Sequence, residues 1–227
     1  MRDVSLRDLA TVEKRHEFRG GARLYAEPVL PGDHDETPMD LVDKYFYHTE
    51  RSAFVHGDGH CMPLGFLAVK NADEKSRSEN EIGYITTGVN GAFSVNPVDR
   101  LIDLTYTIKT NYRSGCCFLL SHDALLEVKR MKDSTGQYIW QPSMSTGDPD
   151  TILGFPAYVS GDMPLIEAGS FSVAFGDFSK LYRIIDGPVE VEKKKRIHST
   201  MFHAEKNVDG RVVDYDAVKL LKFSASL

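Results

Sequence analysis

A mixed α+β fold is predicted by three features of this 227-residue sequence. Two segments, opening at Thr37-Pro38 and Asn96-Pro97, set a cap-forming residue before a proline and then repeat apolar residues at helical spacing. Residues 170–175 instead alternate Phe171, Val173 and Phe175 with Ser170, Ser172 and Ala174, the period of a strand. Asn90-Gly91 and Asp209-Gly210 are turn dipeptides set among further apolar stretches.

The elements follow in order. Residues 1–36 are polar and weakly patterned, and "LPGDHDETP" at 30–38 acts as a breaker. Thr37 as N-cap, Pro38 at the first helical position and Asp40 near the positive end start a helix. Leu41, Val42, Tyr45, Phe46 and Thr49 carry its apolar stripe to about residue 53. "FLAV" at 66–69 predicts a short strand, followed by a charged loop over 71–81. "GYITTGVNGAFSV" predicts a hairpin, because a type I′ turn needs positive φ at Asn90 and Gly91. Asn96-Pro97 opens the next helix, with Leu101, Ile102, Thr105, Ile108 and Tyr112 on its inner stripe. "CCFLLS" at 116–121 is a compact strand, and Ser121 caps the helix "HDALLEVKRMK". A Gly- and Pro-punctuated loop leads to the alternating 170–175 segment. Strands at 188–192 and 197–204 join through a basic turn, and Asp209-Gly210 turns the chain into the closing "VVDYDAVKLLKF". Neither an internal repeat nor a low-complexity tract interrupts this order.

Composition narrows the function classes. The chain is 41% hydrophobic and 26% charged, with a net charge of -6, which suits a globular protein and not a nucleic-acid-coating surface. Cys61, Cys116 and Cys117 contain no CxxC, and the adjacent pair should point to opposite faces of its strand, so buried thiols in a reducing cytoplasm are expected. The charged start "MRDVSLRDLATVEKRHEF" is no signal peptide, and no apolar run approaches the roughly 18 residues of a membrane span.

The densest set of ligand-type side chains lies in "FVHGDGHCMPLGF". His56 and His60 are spaced i, i+4, but they could share a face only on a helix, and Gly57 and Gly59 weaken one. Glycine also stands where the zincin pattern needs glutamate, so Asp58-Gly59 reads as turn chemistry. Neither GxSxG, a phosphate-binding glycine loop nor GxGxxG is found. Asp148, Asp150, Asp162 and Asp177 all lie within two residues of Gly or Pro and suit turn caps accepting backbone N–H bonds. Lys193-Lys194-Lys195-Arg196 reads as a solvated turn near Glu190 and Glu192, and Trp140 as an anchored loop aromatic. No catalytic, cofactor-binding or metal residue is assigned.

Residues 131–186 carry a resemblance. The ordered set "KDSTGQYIWQP", "LGFPAYVSGDMP", "AFGDF" and "YRIID" resembles the C-terminal half of tailed-bacteriophage major capsid proteins with the Hong Kong 97-like fold. "RSAFVHGDGHCMPLGFLA", "IGYITTGVNGAFS", "DRLIDLTYTIKTNYRSGCCFLLSHDALLEVKRMKD" and the closing "DYDAVKLLKFSAS" continue it, most closely in the manner of prophage and gene-transfer-agent capsids. The resemblance implies an N-terminal segment at 1–37, a partial peripheral domain at 38–80 ending a spine helix, an axial domain at 81–186, and returning peripheral strands with a C-terminal segment at 187–227. It implies a virion shell protein, assembled in the bacterial host cytoplasm as pentamers and hexamers of itself around DNA that it touches weakly and non-specifically. Scaffolding, protease and portal proteins are the other implied partners. The family's longer region before the spine helix is reduced here to about 37 residues, which would fit a truncated prophage copy. The alternatives are an encapsulin-like compartment shell and, in a different class, a metal-dependent enzyme using His56, Asp58 and His60.

Overall fold

The computed structural model describes residues 4, 9–14, 22–26, 63–94, 96–132, 135–138, 140–143, 149–195 and 200–224. The helix expected over 38–53 and the His56–Cys61 turn lie outside the described residues.

Two sheets organise the chain. The smaller has four strands in the order β1 (Thr11–Lys14), β10 (Tyr182–Lys195), β11 (Thr200–Val212) and β2 (Ala22–Ala26). The larger has eight, in the order β3 (Asn71–Asp73), β4 (Ile82–Asn90), β12 (Val218–Ser224), β9 (Val173–Gly176), β5 (Cys117–Leu120), β8 (Phe155–Val159), β7 (Thr151–Ile152) and β6 (Trp140–Gln141). It is mixed: β12 runs parallel to β4 but antiparallel to β9, and β5 parallel to β8 but antiparallel to β9. Helices α1 (Pro97–Thr107), α2 (His122–Arg130) and the short α3 (Phe178–Leu181) complete the α+β fold, with a 3-10 turn at Thr110–Gly115.

Strand alternation divides the interior of the larger sheet into two cores. Cys117, Leu119, Ala174, Val218 and Leu220 fill the first, which continues through Phe66, Phe178, Tyr182, Ile184 and Val208 into the smaller sheet. Phe118, Leu120, Val173, Phe175, Leu221 and Phe223 point the other way, under Leu101 and Leu104 of α1 and Ala124 and Val128 of α2. Phe118, Phe155 and Phe175 meet there, with ring centroids 4.6 to 6.5 Å apart. Each large apolar side chain buried in this way contributes roughly 1.5–3 kcal/mol. Cys116 and Cys117 join different cores, as adjacent strand residues must.

Local chemistry explains the helices. Asn96 precedes Pro97 at the start of α1, although its side chain makes no cap bond. The Ser121 side chain does cap α2, accepting from the Ala124 amide at 3.3 Å.

Several expectations are corrected by pairing. The hairpin at Asn90-Gly91 does not form: β4 pairs instead with β3 over Ile82–Tyr84 and with β12 over Tyr84–Asn90, both in parallel. Gly91 keeps the positive φ, 57°, and its amide donates to the Ser224 carbonyl. The strand expected at "FLAV" is a turn, and pairing moves downstream to β3 inside the charged segment. Asp209-Gly210 is not a turn but lies within β11, opposite Ile185 and Ile184. Gly210 is needed because a Cβ there would lie 2.5 Å from the Tyr182 hydroxyl. Strand β10 starts at Tyr182, not 188, and Lys193–Lys195 continue it instead of forming a turn. Ala174 and Ser172 are as buried as Val173 and Phe175, since a core covers each face of the sheet at β9.

Candidate functional site

The sequence-derived candidates do not converge. His56, Asp58, His60 and Cys61 lie outside the described residues, as do Asp148 and Arg196. Asp150 accepts from the Ser143 amide at 2.8 Å. Asp162 accepts from the Ser160 hydroxyl at 3.4 Å. Asp177 departs from the cap pattern: its carboxylate accepts from the Ser179 hydroxyl at 2.6 Å and pairs with Lys180 at 3.1 Å. Trp140 is anchored, half-buried on β6 with the Lys129 ammonium 4.9 Å from its ring. Among the described residues no three His, Cys, Asp or Glu side chains are grouped to hold a metal ion. Nor is any helix among them long and apolar enough to cross a membrane.

A cleft of about 410 Å³ opens beside Arg113, Cys116, Tyr158 and Asp177. Burial pushes the Cys116 thiol up to about 11 and the neighbouring Cys117 up to about 12. Both therefore stay protonated near neutrality, which makes them poor nucleophiles.

The densest electrostatic feature is a charge network joining the 74–81 turn to the start of β12. Arg77 pairs with Glu74 at 3.1 Å and with Asp216, Lys109 also reaches Asp216, and buried Lys219 lies 3.0 Å from Glu74 and 3.7 Å from Asp216. Burial alone would raise the Asp216 carboxyl, but the hydrogen bonds from Lys109 and Arg77 and the nearby positive charges hold it down at about 2. Burial pulls Lys219 down, opposed by Glu74. Tyr112 donates to Asp214 at 2.6 Å and extends the network to the 3-10 turn. The arrangement locks loops together and presents no orphan group to a substrate.

Apolar surface is exposed on the α1–α2 side. The α1 stripe is wider than a single buried face: Leu101, Leu104, Thr105 and Ile108 turn inward, leaving Ile102 and Tyr106 outside. Ile102 was expected inside with Leu101, but the inner face is already filled. The guanidinium of Arg113 lies 4.7 Å from the Tyr106 ring. On α2, Leu126 stays outside and joins Phe93, Ile166, Asp123 and Glu127 around a groove of about 370 Å³. Tyr106 and Leu126 were not singled out in the sequence; the signal was apolar residues beyond those one helix face can bury.

Solved structures place this architecture among capsid subunits. The capsid of an empty gene-transfer-agent particle superposes with a TM-score of 0.83 at 27% identity, over 99% of this chain and 93% of that one. The mature capsid of bacteriophage PhiM1 gives a TM-score of 0.58 at 10% identity, covering 100% and 89% of the two chains, and shares the fold alone. So does the SrpI encapsulin complex of Synechococcus elongatus PCC 7942, at 0.59 and 16% over 89% and 72%. None of the curated protein sequences matches. The fold is therefore the Hong Kong 97-like one, and the class is a major capsid structural protein. Residues 39–223 match the model of the phage capsid family, and the chain belongs to that family.

Proposed function

We propose that this chain is the repeating subunit of an icosahedral shell of phage or gene-transfer-agent type that encloses DNA. The observation that carries the reading is the agreement with the gene-transfer-agent capsid over 93% of its chain. In this proposal copies associate as pentamers and hexamers, DNA is touched weakly and non-specifically, and scaffolding, protease and portal proteins act at assembly in the host cytoplasm. The chain's own role is structural, with no catalytic residue, cofactor or metal assigned. Residues 81–186, supplemented by β3 and β12, form the axial unit, because those two strands complete its eight-stranded sheet. The long β10–β11 pair forms the peripheral arm and overlaps the end of that range, because Tyr182–Asp186 already pair with β11.

Electron microscopy of the purified chain tests the proposal. Closed shells or capsomer rings holding nuclease-protected DNA are the expected result, and a strictly monomeric chain at high concentration would sink it. The shared fold with an encapsulin favours a second reading, a compartment shell. Particles filled with one protein cargo and no DNA would select it. Stoichiometric zinc or iron in the purified protein would instead revive the His56, Asp58 and His60 reading.

A further inference from the structure

The α1–α2 side carries two exposed features of opposite character. Near the C-terminal end of α1, Tyr106 is 72% exposed and Ile102, one turn earlier, 37%. The Arg113 guanidinium lies over the Tyr106 ring, so this apolar projection carries positive charge beside it. The groove near the other end of α1 is its complement. Gly91, Ala92, Phe93, Leu126 and Ile166 make its apolar wall, and Asp123 and Glu127 bring negative charge to its rim. Leu126 is 46% exposed there, and Leu165, next to Ile166, 54%. Tyr106 does not line its own groove, whose walls include no residue of α1. The Glu127–Arg130 pair at 3.2 Å is exposed on both sides, so Glu127 can readily exchange partners.

We propose that Tyr106 of one copy seats against Leu126 in the groove of a second copy, with Arg113 facing Asp123 and Glu127. Aromatic and Arg anchors are the residue types that concentrate interface energy, and exposed apolar patches of this kind mark association surfaces. Because projection and groove are different surfaces, the contact is head-to-tail. Repeated with a closing rotation it yields a ring, and without one an open filament. The inference rests on the shell reading above and names a contact within it.

The test uses full-length chains carrying Cys61→Ser, one with Tyr106→Cys and the other with Leu126→Cys, mixed and oxidised. A disulfide-linked dimer is expected in the mixture and in neither protein alone. Tyr106→Ser and Leu126→Lys should each lower the assembled fraction at least tenfold by sedimentation, while Tyr106→Phe retains it. Arg113→Glu should lose assembly and recover it with Asp123→Lys plus Glu127→Lys. Subunit melting curves separate these effects from misfolding, and the cross-link itself depends only on folded subunits. Shells that form normally with Tyr106→Ser, and without the mixed cross-link, overturn the contact and leave the shell reading standing. Self-linking of Tyr106→Cys alone overturns it in favour of a symmetric contact. A mixed cross-link in a chain that forms no shell supports the contact and sinks the shell reading.

Discussion

Tyr182 closes the junction between the two sheets: its hydroxyl donates to the Leu64 carbonyl at 2.6 Å while its ring lies against Gly210. Tyr182→Phe leaves that partly buried carbonyl without its hydroxyl donor and should cost about 1 kcal/mol in denaturant unfolding. Gly210→Ala drives a methyl into the ring and should cost about 1–3 kcal/mol by the same measurement. Asp216 carries a pH signature. Its carboxyl titrates at about 2 when folded and near 3.8 when unfolded, so its stabilisation is complete above about pH 4 and is lost as the pH falls toward 2. Asp216→Asn should therefore flatten the stability curve between pH 4 and 2 in acid-unfolding experiments. Cys116 and Cys117 should resist maleimide at neutral pH in the native protein and react once it is unfolded, as peptide mass spectrometry would show.

Elements were legible in the sequence where the deciding chemistry is local. The cap of Ser121 and the Asn96-Pro97 start gave the beginnings of α2 and α1, but α1 ends at Thr107, so Ile108 and Tyr112 lie beyond the helix expected to carry them. Ser121→Ala should accordingly cost about 1 kcal/mol by thermal or denaturant melting. Where the outcome depends on which distant strand supplies an edge, local chemistry pointed elsewhere. Asn90-Gly91 has the composition of a hairpin, yet Tyr84–Asn90 pair with β12, more than a hundred residues away. Asp209-Gly210 looked like a turn because glycine serves turns and close packing equally, and here the second use applies. Pairing of β1 and β2 with the long β10–β11 arm was invisible in residues 1–36, whose partners lie at the far end of the sequence.

At the scale of the whole molecule, the family was carried by ordered motifs over 131–186, while the association surface was not. An interface residue obeys no periodicity of its own chain, because its partner is another molecule. Tyr106 and Leu126 emerge only once the inner faces of α1 and α2 are seen to be filled. The charge network around Asp216 ties the 74–81 turn, α1's exit and β12 into one unit, so the larger sheet should unfold cooperatively. One position in that sheet bears on biosynthesis. Strand β12, at residues 218–224, lies between β4 and β9 near the middle of the sheet. Until β12 has been translated and docks, β4 and β9 both present bare edges and the sheet cannot close. Closure of the sheet is then slow for its size, as expected when contacts are distant in sequence. The two bare edges also leave a chain whose β12 has not docked open to pairing with another chain.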